Sequence, residues 1–331
     1  MTDTSGRSPR QQRRDMVGAT ETGMHTLPGV APGAAADEDQ YGLEGDARGQ
    51  LATAVRRFLR EPLAVIGLSI FVGLAVAALL TGWFWTYSYT SITDTLNAPP
   101  SSAHPFGTNS IGGDVFAQVM HGTLQDIEIA LLVALIATVV GATVGAVAGY
   151  YGGRTDALLM RFVDLILVIP VLAILIVLAH IVAKQASNWF WLAIIIGAVS
   201  WTYVARLVRA DFLSLRERDF IEASRALGAT NRRIIVRHML PNAAGPIIVN
   251  ATITVALSIV LESTLSYIGL GIQPPNVSLG LLVDQGQNSA TTEWWLFVFP
   301  VLFLVILILA IFFIGDGLRE ALDPKKNRVR A

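Results

Sequence analysis

The residues able to do chemistry in this 331-residue chain are few, and their spacing suits no catalyst. There is no cysteine, so disulfides, thiolate nucleophiles and sulfur-ligated metal sites are excluded. The five histidines (His25, His104, His121, His180 and His238) are scattered, without metal-ligand spacing. No H-E-x-x-H, G-x-S-x-G or G-x-x-x-x-G-K-[ST] stretch occurs. The chain is therefore expected to be non-catalytic and to hold no cofactor or metal of its own; any ATP hydrolysis would belong to a separate chain. Glu262 is the one acid placed deep in an apolar run, with no second acid paired to it in a span. Such a group is costly in lipid and faces either a pathway or a hydrogen-bonding neighbour, here Ser258, Ser263 or Ser266.

The second chemically marked stretch is DFIEASRALGATNRRIIVRHMLPN, residues 219–242. Asp219 with Glu222 three residues on has the spacing of a reciprocal cap. Phe220, Ala223 and Leu227 then share one helical face, and Gly228 supplies a left-handed stop. A second short helix fits Asn231–Leu240, with Pro241 blocking its continuation. Three readings compete: a DNA-reading helix-turn-helix, a helix lying on lipid headgroups, and a helix presented to a partner's groove. Ends defined to the residue favour the partner.

The elements that must position these residues are membrane spans. The chain is 53% hydrophobic and only 15% charged, against about 25% charged residues in a soluble domain. A crossing takes about 20 mostly apolar residues, and six runs qualify: 63–85, 129–150, 165–183, 189–204, 246–270 and 295–314. Helices are the expected form, because an isolated strand in lipid leaves its backbone unpaired. With the N-terminus placed in the cytoplasm, every Lys and Arg except Lys184 falls on the inner side. That bias predicts six spans with both termini cytoplasmic, and it puts residues 206–245 in a cytoplasmic loop. Trp83, Trp85, Trp189, Trp191, Trp294 and Trp295 fall at outer ends, and Trp201 at an inner end.

Residues 1–50 lack an apolar run and read as a disordered cytoplasmic tail preceding a membrane domain over 51–331. Gly141, Gly145 and Gly149 form a small-residue stripe that suits a close helix seam, within the chain or with a second one. Pro170 and Pro300 interrupt the third and sixth spans. Asp164 is expected near the inner surface.

The loop resembles the E-A-A…G…I-x-L-P signature of permeases from binding-protein-dependent ABC importers. Glu222, Ala223, Gly228, Leu240 and Pro241 match it, Ser224 replaces the second Ala, and His238 stands at the Ile. His followed by x-Leu-Pro-Asn is similar to the dipeptide/oligopeptide branch. RRFLREPLAVIGL (56–68), HPFGTNSIGGDVF (104–116), LSYIGLGIQPP (265–275) and GDGLREALDP (315–324) resemble further text of that branch. Asn109 and Gly113 depart from its usual Asp and Arg.

The resemblance implies an all-α type I importer permease with a coupling helix carrying Phe220, Glu222, Ala223, Ser224, Leu227 and Gly228. Leu240 and Pro241 would fix the loop's exit, with Glu262 a candidate pathway residue. It also implies a cell-membrane location, a homologous permease as heterodimer partner, two ATPases binding ATP and Mg2+, and an extracytoplasmic substrate-binding protein. Dipeptides or oligopeptides would be the cargo. Nickel chelates or glutathione are the alternative within the branch, and an ATP-independent secondary carrier the alternative outside it.

Overall fold

A computed structural model of the chain describes residues 47–181 and 188–322; most of the expected tail and Lys184 lie outside the described residues. Among those residues the regular structure is helical, joined by two isolated backbone bridges, Ile92 with Gly113 and Thr108 with Asp114. The helices are α1 (Ala47–Phe58), α2 (Pro62–Phe84), α3 (Val115–Tyr151), α4 (Gly153–Val168) and α5 (Val171–Ile181). After them come α6 (Trp189–Arg216), α7 (Asp219–Ala226), α8 (Asn231–Tyr267), α9 (Leu279–Gln287) and α10 (Trp295–Leu322). Five of them, α2, α3, α6, α8 and α10, are long and apolar enough to cross a membrane.

A sixth crossing exists if α4 and α5 count as one, and they are bent by 84°. The third expected span, 165–183, therefore straddles a break. Pro170 causes it: proline disfavours helical backbone in the residue before it, and Ile169 is extended at φ −81°, ψ 132°. Pro300 has no such effect and lies within α10.

α3 and α6 form the most extensive helix pair. Their seam is the glycine stripe, so the open choice between an internal and an external seam resolves to the internal one. A Cβ added at Gly145 would stand 2.5 Å from the Ala205 carbonyl oxygen, and one at Gly141 2.5 Å from the Val204 Cβ. In lipid, where apolar burial drives helices together only weakly, such backbone approach supplies the attraction. Because α6 runs twelve residues past Val204, Trp201 sits in mid-helix. It is buried and donates its indole N–H to the Ala198 carbonyl, so it is a core residue and not the inner interfacial anchor expected for it.

α8 departs from expectation in a second way: Pro241 does not stop a short helix, because the helix continues through it to Tyr267. The turn before it, Ile234–Met239, is π-helical, and Leu240 N–H reaches back to the Ile235 carbonyl. That slip of the hydrogen-bond register, together with Asn242 Nδ2 donating to the His238 carbonyl (2.6 Å), accommodates the donor that proline lacks.

At the other end of α8 the segment 85–114 folds back as a cap. Asp114 accepts from the Ala117 N–H at the start of α3 (2.7 Å) and pairs with His104 Nδ1 (2.6 Å), both side chains being buried. Trp295 donates to the Thr108 carbonyl and closes the cap onto α10.

Candidate functional site: the α7 loop

α7 is one-sided. Ile221 is fully buried in a core with Phe212, Val163, Ile234 and Met239. Phe220 and Leu227 remain exposed, at 37% and 88%. Glu222 and Ala223 are exposed as well, and Ser224 Oγ donates to the Phe220 carbonyl (2.7 Å). One residue thus anchors the helix while Phe220 and Leu227, on its outer surface, stay exposed among the described residues.

The ends of α7 differ in how they match the sequence reading. Asp219 is not the N-cap: that position belongs to Arg218, no side chain caps the helix, and Asp219 and Glu222 both lie in the first turn. There they favour the positive end of the helix dipole, without the reciprocal hydrogen bonds expected of them. Gly228 does end the helix, at φ +78°. Its N–H bonds to the Arg225 carbonyl and Ala229 N–H to the Ser224 carbonyl, the paired pattern of a Schellman turn. Leu240 packs against the same core as Ile221, whereas Pro241 is exposed.

What joins this loop to the bundle was not legible from spacing. Tyr150, at the end of α3, donates its hydroxyl to Asn231 Oδ1 (2.8 Å). Arg225 lies over its ring, 5.6 Å from the centroid. Nearby, Arg209 holds Asp156 through both carboxylate oxygens and Arg206 pairs with Asp164, tying α6 to α4. The signal available was only the aromatic–glycine text Y-Y-G-G after an apolar run.

Glu262 lies at the far end of α8 from this loop and is fully buried, so in this conformation its carboxylate reaches no surface. It accepts from Ser266 Oγ (2.6 Å) and Ser263 Oγ (3.3 Å); Ser258 instead bonds the Thr254 carbonyl. The expectation that no second acid accompanies it is corrected: Asp126, also fully buried, interacts with it from α3. Neither Asp126 oxygen makes a hydrogen bond of normal geometry. The sequence reading missed the pair because α3 starts fourteen residues before the expected Ile129, which brings Asp126 inside the helix.

The same architecture occurs in known proteins. Residues 141–328 match the family described as binding-protein-dependent transport system inner membrane component. The chain belongs to that family. Residues 49–100 match the N-terminal transmembrane domain of oligopeptide transport permease C. The oligopeptide transport system permease protein OppC of Mycobacterium tuberculosis is 43% identical over 277 residues, covering 83% of this chain and 95% of that one. The Bacillus subtilis protein of the same name is 36% identical, covering 83% and 90%. Among solved structures, the inward-facing MetNI methionine ABC transporter aligns with a TM-score of 0.52 at 21% identity, over 63% of this chain and 98% of that chain. That likeness fixes the fold as the type I ABC importer permease, and the chain is a multi-pass membrane protein of a transport system.

Proposed function

We propose that this chain is a non-catalytic permease subunit of an ABC importer for dipeptides or oligopeptides. The observation that carries the reading is α7, held by one buried side chain while Phe220 and Leu227 stand exposed on a loop between two spans. A helix with its apolar outer face unfilled suits the groove of a separate protein. In a transport component with no phosphate-binding loop of its own, that protein is an ATPase. Peptide as cargo is supported by the relatives named for oligopeptide transport.

In this reading two ATPases bind ATP and Mg2+, close on nucleotide and carry α7 with them. A homologous permease completes the translocation pathway, and an extracytoplasmic binding protein delivers cargo to the opposite side. Exposed apolar residues of α4, such as Leu158, Leu165 and Val168, offer a surface for the second permease. The arginines of 206–237, Arg56, Arg57 and Arg60 ahead of α2, and Arg319 at the end of α10 support a cytoplasmic position for α7 and for both termini. ATP can bias the permease only through contacts that differ between open and closed ATPases, and α7 is where they would enter.

The test is purification of the tagged chain from its own membranes, with uptake of a labelled di- to pentapeptide series in a strain lacking the gene. An ATPase should co-purify with the wild type, Leu227→Asp should lose it, and uptake should depend on the gene. A chain that never retains an ATPase would sink the coupling reading; unaltered peptide uptake in the deletion strain would sink the cargo.

A further inference from the structure

The loop helix can drive the bundle only if something stiff connects them, and beside the buried Ile221 a second side chain ties it to the end of α3. Tyr150 is 6% exposed, with its ring in the core that also buries Ile221, Ile234 and Met239. It is the penultimate residue of α3. Its hydroxyl donates to Asn231 at the start of α8, 2.8 Å away and 81 positions along the chain. Its ring carries the Arg225 guanidinium of α7, and its carbonyl accepts from Arg216, the last residue of α6, at 3.4 Å. Four helices therefore meet at one residue. We infer that Tyr150 is the positioning residue that makes α7 and α3 move as one body; this rests on the coupling reading above and names the contact through which it acts.

The ring and the hydroxyl divide the work. The ring fills core volume, and a phenylalanine would fill it equally. The hydroxyl adds a directional bond to Asn231, whose own side chain is on the surface. A hydrogen bond at a water-accessible edge adds little to folding, because water can replace either partner. It does fix the orientation of α8's first turn, and through Gly228–Thr230 that of α7, against the end of α3. Tyr150→Phe should thus leave the fold intact and loosen the transmission. Asn231→Ala removes the same bond from an exposed position and carries little risk to folding.

The decisive experiment measures, in the complex purified with its ATPases and reconstituted in vesicles, labelled tripeptide transported per ATP hydrolysed. Both Tyr150→Phe and Asn231→Ala should retain the ATPases and their hydrolysis while that ratio falls about fivefold, the population shift expected from losing one hydrogen bond. The double variant should fall no further than either single one, since both remove one bond. A wild-type ratio in Asn231→Ala, or additive losses in the double variant, overturns the inference while the coupling reading stands. If the wild-type chain holds no ATPase, the coupling reading itself fails and takes this inference with it. Should Tyr150→Phe accumulate poorly, Asn231→Ala decides alone.

Discussion

Ile221 and Leu227 lie six positions apart on one short segment, with opposite fates: the first is fully buried and the second 88% exposed. Their truncations should separate folding from partnership. Ile221→Ala opens a hole in the core around Phe212 and Met239 and should cost about 2–5 kcal/mol, read as a lower melting temperature of the detergent-solubilised chain. Leu227→Ala should leave that temperature unchanged and weaken ATPase retention alone. Glu262 gives a second residue-scale test. Removing its carboxylate strands Ser266 Oγ, which otherwise donates to Glu262 while accepting from Ile272 N–H. Glu262→Ala should therefore destabilise by about 1–3 kcal/mol. Glu262→Gln keeps an acceptor for Ser266 and removes one of two facing carboxyls, so thermal unfolding should show a smaller loss. Equal losses for the two variants would mean that the carboxylate itself, and neither side-chain shape nor an acceptor for Ser266, matters at this site.

Among the elements, the α3–α6 seam is the least tolerant. A side chain at Gly145 meets the Ala205 carbonyl and Val208; Gly145→Leu should cost at least about 1–3 kcal/mol as overpacking, visible as reduced accumulation of full-length chain in membranes. Gly73, with open space around it, is the matched control: Gly73→Leu should be neutral by the same measure. The stripe was legible in the sequence because small residues four apart let helices approach closely, and five of the expected crossings were legible because apolar runs of that length have few alternatives; the third expected span is instead broken at Pro170. Helix ends were legible where the apolar run itself stops, as at both ends of α2 and the starts of α6 and α10, and not elsewhere. α3, α6 and α8 all outrun their apolar cores with polar turns that hydropathy cannot assign. Trp201 and Pro241 were misplaced, and Asp126 was missed, for that reason. Asp219 went wrong more locally, since a carboxylate suits both the cap and the first turn, and only backbone geometry separates them. Gly228 came out as expected because few residues other than glycine enter a left-handed turn without strain.

For the whole molecule, the two ends of the bundle are held by different chemistry. At the α7 end the contacts are apolar, with Tyr150 and surface ion pairs added. The opposite end is a long segment, 85–114, without helix, laced by many backbone and side-chain hydrogen bonds, among which those of Asp114 are buried. Asp114 carries two of them at once, one capping α3 and one holding His104. Asp114→Ala should then release the segment as a unit. Hydrogen–deuterium exchange should accelerate across 86–113 and the first turn of α3, while protection along the Gly141–Gly149 seam stays as in the wild type. Asp114→Asn keeps an oxygen to cap Ala117 and should spare the α3 turn while still freeing His104. If exchange instead rises evenly over the bundle, the cap and the spans form one cooperative unit. In that case a force applied at α7 would reach the cap directly, without passing through a separately moving set of helices.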